Sequence, residues 1–393
     1  MRIPGIPFGK WFRSTPHVLL KASGGFSSGD RALCIGAARR IQSAGCRLTI
    51  LSPKSYREDI RQAGLHVPLL SLDVTDPFEG TATIEELLEQ FERLHKSQYH
   101  EILKSFEKVD VLAVAPGGRL LDGYKVARHL LIPALAQRLG VPVVFLHQSV
   151  GPLTSPAHRS MAQRAFTGAA LGVTRDDISF AFLRELGVPE SRLFPSRDMA
   201  FTETYQDPHP PKEFDLGVNV RFGFNGHTEP DVLKVFLREF IRHKPGARVL
   251  LYTTSNPIPA PLADEMRAMA CAVEPALVAY PYYVRAPGRC AVNISDSFHG
   301  VIFSMMAGRP VIALQTDFGS WKLHGTLVPG QPAVEVLSGF IDAPSARDIL
   351  DRALALAENP TPACERQLRF VEYCRKRAED GWEQAARVIL NAR

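Results

Sequence analysis

HVLLKA (residues 17–22), SGGFSSGD (23–30) and RALCIGAARRIQSA (31–44) together decide the fold. A short apolar run, a glycine-rich turn and a stretch with helical spacing make one strand–turn–helix unit. The unit recurs along the chain. RLTIL (47–51) leads into SPKSYREDIRQAG, a turn and a helix that Gly64 closes just past its last turn. One long charged helix is predicted over about 84–108. VDVLAVA (109–115) is the next strand, with Pro116-Gly117-Gly118 as its turn. A helix over 125–139 and the strand VPVVFLH (141–147) follow, then a helix over 157–168, a strand over 170–173 and a helix over 176–186. Uninterrupted apolar strands alternating with helices indicate a parallel sheet covered on both faces.

The rhythm breaks at Asp207-Pro208-His209-Pro210-Pro211, a proline-rich linker. It resumes with strands predicted over 216–220, 248–253, 291–294 and 310–314, and helices over 232–243, 263–273 and 299–307. Helices over 345–358 and 364–391 close the chain. The expected organisation is a tail (1–16), a Rossmann-like domain (17–206), a linker (207–213), a second Rossmann-like domain (214–360) and a C-terminal helix (361–393). Two such α/β domains facing a cleft, with C-terminal helices, describe the glycosyltransferase-B-like architecture. Ligands in these sheets bind at the carboxyl ends of the strands, so the cleft is the place to look for a site.

Composition narrows the function classes. The chain has 393 residues, 45% hydrophobic and 22% charged, with 46 Lys+Arg against 41 Asp+Glu, a net charge of +5. That excludes a disordered or fibrous chain and is too weak a charge to imply nucleic acid. No run approaches the roughly 18 apolar residues of a membrane span. The opening MRIPGIPFGKWFRSTP lacks the apolar core of a secretory signal. Its Arg, Lys, Trp and Phe can touch a membrane surface or simply fray. Cys34, Cys46, Cys271, Cys290, Cys364 and Cys374 show no metal-type spacing and read as reduced thiols in a cytoplasmic protein. No metal is expected. Asn293-Ile294-Ser295 matches a glycosylation sequon and carries no weight here.

Six segments at strand ends carry chemistry. Gly24-Gly25-Phe26-Ser27-Ser28-Gly29-Asp30 has P-loop spacing, but Asp30-Arg31 replace the required Lys and Ser/Thr, which excludes ATP hydrolysis. It is either a tight turn or a lining of backbone amides, with Gly25 approaching a ligand and Asp30 an acceptor hydroxyl. Pro116-Gly117-Gly118-Arg119-Leu120-Leu121-Asp122 offers Gly118 for close backbone approach and Asp122 for a sugar hydroxyl, or a plain turn. His147-Gln148-Ser149-Val150-Gly151-Pro152 puts Gln148 at the cleft, beside a histidine that reads more readily as structural. In Val173-Thr174-Arg175-Asp176-Asp177, Arg175 can grip a carboxylate or phosphate, or pair with its neighbouring aspartates. Ser295-Asp296-Ser297-Phe298-His299-Gly300 precedes a buried helix and sets His299 at its positive end, as a proton donor or a cap. Gln315-Thr316-Asp317-Phe318-Gly319-Ser320-Trp321-Lys322 adds Lys322, either in the pocket or in solvent.

Taken in order, GGFSSGD, APGGRLLD, HQSVGP, TRDDIS with LRELGV, and SDSFHGVIFSMMAGRPVIAL resemble the polysaccharide pyruvyl transferase family over about 23–325. The resemblance implies transfer of the enolpyruvyl unit of phosphoenolpyruvate to a sugar of an exopolysaccharide, capsule or cell-wall polymer, forming a pyruvate ketal. It implies a sugar or lipid-linked oligosaccharide acceptor on the N-terminal side, the donor on the C-terminal side, and no cofactor. A lipid-linked acceptor would bring the protein to the inner face of the cytoplasmic membrane. The family's S-x-R-x-H-G segment matches Ser295 to Gly300. Its histidine, the acid/base, falls on His299. Its arginine falls on Ser297, a departure, and the next residue on Phe298. The family arginine at the R-D step falls on Arg175, and Lys322 matches a lysine after the following strand. Arg221, ending LGVNVR, is a candidate for the missing cation.

The chemistry requires the same kinds of group. Phosphoenolpyruvate carries a carboxylate and a phosphate, so fixed cations must face both. An acid must protonate its vinyl carbon, a role suited to histidine near neutral pH. Fixed cations must also stabilise the departing phosphate. Two other readings share the frame: a glycosyltransferase using a nucleotide sugar, and a non-catalytic member of a polysaccharide assembly complex.

Overall fold

The computed structural model describes residues 15–22, 27–74, 78, 80–203, 211–222, 228–253, 258–269, 271–274, 285–315, 323, 325 and 334–392. Their strands form two parallel sheets. The first contains β1 (His17–Lys21), β2 (Arg47–Ser52), β3 (Leu69–Ser71), β4 (Val111–Val114), β5 (Gly117–Leu120), β6 (Val143–Val150), β7 (Leu171–Thr174) and β8 (Leu193–Pro195). Their order is β3-β2-β1-β4-β6-β7-β8, with β5 paired to β6. The second contains β9 (Phe214–Asn219), β10 (Val249–Tyr252), β11 (Cys271–Val273), β12 (Cys290–Ser295), β13 (Val311–Gln315) and β14 (Glu335–Ser338). Their order is β11-β10-β9-β12-β13-β14. The strand order reverses between β1 and β4 in one sheet and between β9 and β12 in the other. Such switch points open crevices at the carboxyl ends of the strands.

Helices α1 (Ser28–Ser43), α2 (Arg57–Gln62), α3 (Ile84–Leu94), α4 (Lys96–Phe106), α5 (Val126–Arg138), α6 (Pro156–Thr167) and α7 (Asp177–Glu185) accompany the first sheet. Helices α8 (Pro230–His243), α9 (Ala260–Ala268), α10 (Phe298–Met306) and α11 (Ala343–Glu358) accompany the second, and α12 (Thr361–Leu390) follows. Alternation along β1 sends Val18 and Leu20 into one apolar cluster and Leu19 into another, the period-two signature of a strand covered on both faces. The Val18 cluster also takes Val301, Ile302 and Phe303 from α10 and Phe370, Val371 and Cys374 from α12. Helix α10 thus follows a strand of the second sheet but packs into the core of the first half.

Helix α12, about 45 Å long at 1.5 Å per residue, also returns to the first half. Ser196 Oγ donates to the Arg377 carbonyl (2.8 Å), and Arg375 Nε donates to that of Phe201 (3.1 Å). Arg40 forks onto Glu379 (2.8 and 2.5 Å).

The structure corrects several expectations. The helix expected over 84–108 is two helices, α3 and α4. They are broken at His95 (φ −128°, ψ 42°), whose ring packs on Phe78 and Phe91. The helix expected over 263–273 ends at Ala268, and Cys271–Val273 becomes edge strand β11. The turn expected at Gly117-Gly118 is strand β5, laid along the end of β6. Strand β6 runs on to Val150 through a register shift between Phe145 and Gln148, where His147 takes φ +40°. Of the expected linker, 207–210 lie outside the described residues, as do 1–14 of the expected tail.

Candidate active site

Two helix N-termini meet across the halves. Ser27 caps α1: its Oγ accepts from the Asp30 N–H (3.2 Å) and donates to Asp30 Oδ2 (2.7 Å). On the other side, the Ser297 N–H donates to Ser295 Oγ (3.1 Å), and α10 begins at Phe298. His299 lies in its first turn, 8% exposed. The approach requires bare backbone at two positions. A Cβ on Gly29 would overlap His299 Nδ1, and one on Gly300 would overlap Asn219 Nδ2 and Ser295 Oγ.

His299 Nε2 lies 3.7 Å from Asp198 Oδ2. That is beyond hydrogen-bond reach, and Nε2 has no hydrogen-bond partner among the described residues. Asp198, fully buried, accepts from the Ala200 N–H (2.8 Å) and from Arg175 Nη1 (2.7 Å). Burial pushes against its ionisation, but Arg175, the nearby imidazole and the Ala200 N–H overcome that and hold its carboxyl far below the usual range. Arg175, 2% exposed, also donates through Nε to Ser149 Oγ (2.7 Å), which donates to Asp176 Oδ2 (2.6 Å). Its guanidinium carbon lies 4.7 Å from the Phe298 ring centre, and that ring stands beside His299. Next door, Arg197 forks onto Asp177 (2.9 and 2.7 Å). Each arginine of the two Arg-Asp steps at the ends of β7 and β8 therefore takes an acid from the other segment.

On the α1 side, Asp30 pairs with Arg119 of β5, whose guanidinium lies 4.8 Å from the Tyr124 ring centre. Burial would raise the Asp30 pKa, but Arg119, Ser27 and His299 outweigh it and bring it down to about 2. From the second sheet, Arg221 wraps Asp296. Its N–H donates to Oδ2 (2.8 Å), its Nε to Oδ1 (3.2 Å) and its Nη2 to the carbonyl (2.8 Å). This pair stands at the β9/β12 switch point. Burial raises the pKa of the Tyr124 phenol, and the charges of Arg119, Asp30, Arg221 and Arg175 all act on it.

Of the residues singled out from sequence, His299, Arg175, Phe298, Ser297, Asp30 and Arg221 come together here. Gln148 adjoins the site: its carbonyl accepts from the Arg175 N–H (3.0 Å), while its side-chain amide donates to the Ala115 and Leu146 carbonyls (2.7 Å each). Gly118 is in β5. Asp122 accepts from the Thr154 N–H (2.8 Å) and braces two loops. Gly25 and Lys322 lie outside the described residues. His147 is buried, its Nδ1 bonded to the Arg197 carbonyl (2.8 Å), and burial holds its pKa down to about 4. Sequence reasoning missed Arg119, Tyr124 and Asp198. Asp198 had a signal: Ser196-Arg197-Asp198 repeats the form of Thr174-Arg175-Asp176 at the end of the neighbouring strand. Among the described residues no group of three His, Cys, Asp or Glu could hold a metal.

The model of one family, polysaccharide pyruvyl transferase, matches residues 28–317, a span that includes His299, Asp198, Arg175, Asp30, Arg119 and Arg221. The chain belongs to the polysaccharide pyruvyl transferase family. No curated protein matches it. Solved structures share its fold. Arabidopsis thaliana UGT89C1 complexed with quercetin has a TM-score of 0.65 at 14% identity, over 96% of this chain and 100% of that one. UDP-GlcNAc 2-epimerase from Neisseria meningitidis, bound to UDP-GlcNAc, has 0.64 at 12%, over 95% and 100%. Anabaena Alr3699/HepE, in complex with UDP and glucose, has 0.59 at 11%, over 96% and 100%. At these identities the likeness is one of fold, and the pyruvyl transferase chain has the glycosyltransferase-B-like architecture expected of it. No helix among the described residues is long and apolar enough to cross a membrane.

Proposed function

We propose that this family member transfers the enolpyruvyl unit of phosphoenolpyruvate to a sugar in polysaccharide biosynthesis. The observation that carries the reading is His299, buried at the N-terminus of α10 beside Gly29 and Asp198, with Arg175 on Asp198, Arg119 on Asp30 and Arg221 on Asp296. A dianionic donor fits a space surrounded by cations at a helix N-terminus. His299 gives a proton to C3 of the donor, and a sugar hydroxyl adds to C2 as it loses its own proton. The C2–O bond to phosphate then breaks, and phosphate leaves with the bonding pair. A second hydroxyl adds to C2 and releases a proton, closing the ketal.

The cations divide the work by exposure. The Arg119 and Arg221 side chains, 22% and 19% exposed, face the donor, which answers the loss of the family arginine at Ser297. Arg175, with Nε and Nη1 engaged, holds Phe298 and Asp198 behind His299. Lys322 remains a candidate for the same pocket. The acceptor is a sugar or a lipid-linked oligosaccharide, which would place the protein at the cytoplasmic face of a membrane.

Thermal unfolding against phosphoenolpyruvate and a panel of nucleotide sugars tests the donor. A ligand at 100 times its Kd stabilises by about 2.7 kcal/mol. Stabilisation by phosphoenolpyruvate, weakened in Arg221→Ala, is the expected result. Stabilisation by a nucleotide sugar alone would replace this reading with the glycosyltransferase one. Near-normal transfer by His299→Ala would remove His299 from its role.

A further inference from the structure

A second cluster of cations lies at the other switch point, between β1 and β4. Lys21, the last residue of β1, is 4% exposed and has one polar contact, a long 3.4 Å approach to the Ala22 carbonyl. It lines two small cavities. One is shared with Val114, Arg119, His129 and Gln148, the other with Ser52, Arg128 and His129. Arg128 and His129 open α5 and are half-buried. Neither has an ion pair among the described residues, and Asp30, whose charge acts on His129, is paired to Arg119. Two cations and a histidine thus converge at the carboxyl edge of a parallel sheet with no counter-ion of their own among the described residues. Buried charges are ordinarily paired, and ligands bind at this edge.

Burial and Arg128 push the Lys21 pKa down to about 8, and burial with Lys21, Arg119 and Arg128 pushes that of His129 well below its usual value. The groups facing Lys21 are Arg128 and His129 from α5, Arg119 from β5, and Asp30 and Cys34 from α1. An incoming anion would reverse the repulsion and draw protons onto both side chains.

We infer that Lys21, Arg128 and His129 form a second anion subsite, which takes a phosphate or diphosphate group carried by the acceptor. Assignment to the acceptor rests on the pyruvyl-transfer reading; the subsite itself does not. Arg119 separates the two anions. It pairs with Asp30 beside His299 and lines the Lys21 cavity. The donor already has cations on the His299 side, so the anion at Lys21 is a different one. The cavities, about 10 and 20 Å³, each hold about one water. A tetrahedral oxyanion is larger than either cavity, so its entry requires the half-buried Arg128 and His129 side chains to move outward.

The test uses the whole protein and three probes: inorganic pyrophosphate, glucose 1-phosphate and orthophosphate. Calorimetric titration, with and without phosphoenolpyruvate, is run on the wild type, Lys21→Met and Arg128→Gln. The expected result is binding of pyrophosphate or glucose 1-phosphate that persists with phosphoenolpyruvate present. It takes up protons, read as a heat that depends on the buffer, and weakens roughly tenfold or more in Lys21→Met. Arg128→Gln, on the half-buried side, gives a smaller loss and guards against misfolding of the first variant. Binding by orthophosphate alone would assign the site to the released product and overturn the acceptor assignment. No binding by any probe, or binding unchanged in both variants, would overturn the subsite. Failure of phosphoenolpyruvate to bind while pyrophosphate binding persists would sink the transfer reading and leave the subsite standing.

Discussion

Two sets of buried charge line the carboxyl edge of the first sheet, and they are balanced in opposite ways. At β7 and β8 each cation has its acid: Arg175 holds Asp198, and Arg197 holds Asp177. At β1 and the start of α5, Lys21, Arg128 and His129 have none among the described residues. The matched set sits behind His299 and is held by its own ion pairs. The unmatched set is held together only by the surrounding fold, and its own repulsion works against it. Pairing therefore fixes the arginines behind His299, and the set without an acid among the described residues is the one left to a ligand.

Breaking the matched set should have the largest effect. Asp198→Asn keeps the shape of the side chain but strands Arg175 without a counter-charge. The expected loss is on the order of 3–5 kcal/mol, read by urea unfolding. Asp177→Asn is the control. Its side chain is 56% exposed, and the loss should stay within about 1 kcal/mol. Equal losses from the two would mean that burial of the pair is not what holds this edge.

The unmatched set should respond with the opposite sign. Lys21 has its pKa lowered from 10.5 to about 8, so between those values the unfolded chain binds more protons than the folded one. Stability from this group rises with pH over that window and is lost as pH falls back to 8. At pH 7 the burden is on the order of 3 kcal/mol. Lys21→Met should relieve much of it, and the advantage over the wild type should fade as pH approaches 10.5. A variant destabilised at pH 7 would show that Lys21 has a partner and that the contrast is wrong.

The third prediction concerns the contact between the two helix N-termini. Gly29→Ala drives a methyl group into His299 Nδ1. Overpacking of this kind costs roughly 1–3 kcal/mol. Transfer should fall further than stability does, because the displaced group is the acid. Unchanged turnover would separate the α1 contact from the chemistry.

The strand–helix rhythm made both sheets legible, because strands covered on both faces leave uninterrupted apolar runs such as VDVLAVA and VPVVFLH. β3, β8, β11 and β14, with three or four residues each, are too short to show a pattern. His299, Arg175 and Asp30 were readable because each stands at a strand–helix junction, where turn and cap residues announce themselves. What could not be read is who pairs with whom. Arg175 has Asp176 beside it in sequence but reaches Asp198, because β7 and β8 are neighbours and their Arg-Asp steps interleave. Lys21 read as an ordinary strand residue. Its isolation is visible only once α5 brings Arg128 and His129 over the same strand end.

Asp122 gives the smallest effect and the finest test of the boundary between structure and site. From sequence it is a candidate for a sugar hydroxyl, yet its carboxylate accepts from the Thr154 N–H, tying the turn after β5 to the segment after β6. A half-exposed hydrogen bond to a charged acceptor is worth about 1 kcal/mol, and Asp122→Ala should lose about that much stability. Because Asp122 bonds the Thr154 N–H and forms no ion pair with Arg119, Arg175 or Arg221, phosphoenolpyruvate binding should be unchanged. The acceptor decides the rest. If the same variant raises the acceptor KM several-fold with kcat held, Asp122 also touches the sugar, and the acceptor path runs over the β5–β6 loops. If both constants hold, Asp122 belongs with the matched charges, and the acceptor is guided by the unmatched cations at Lys21.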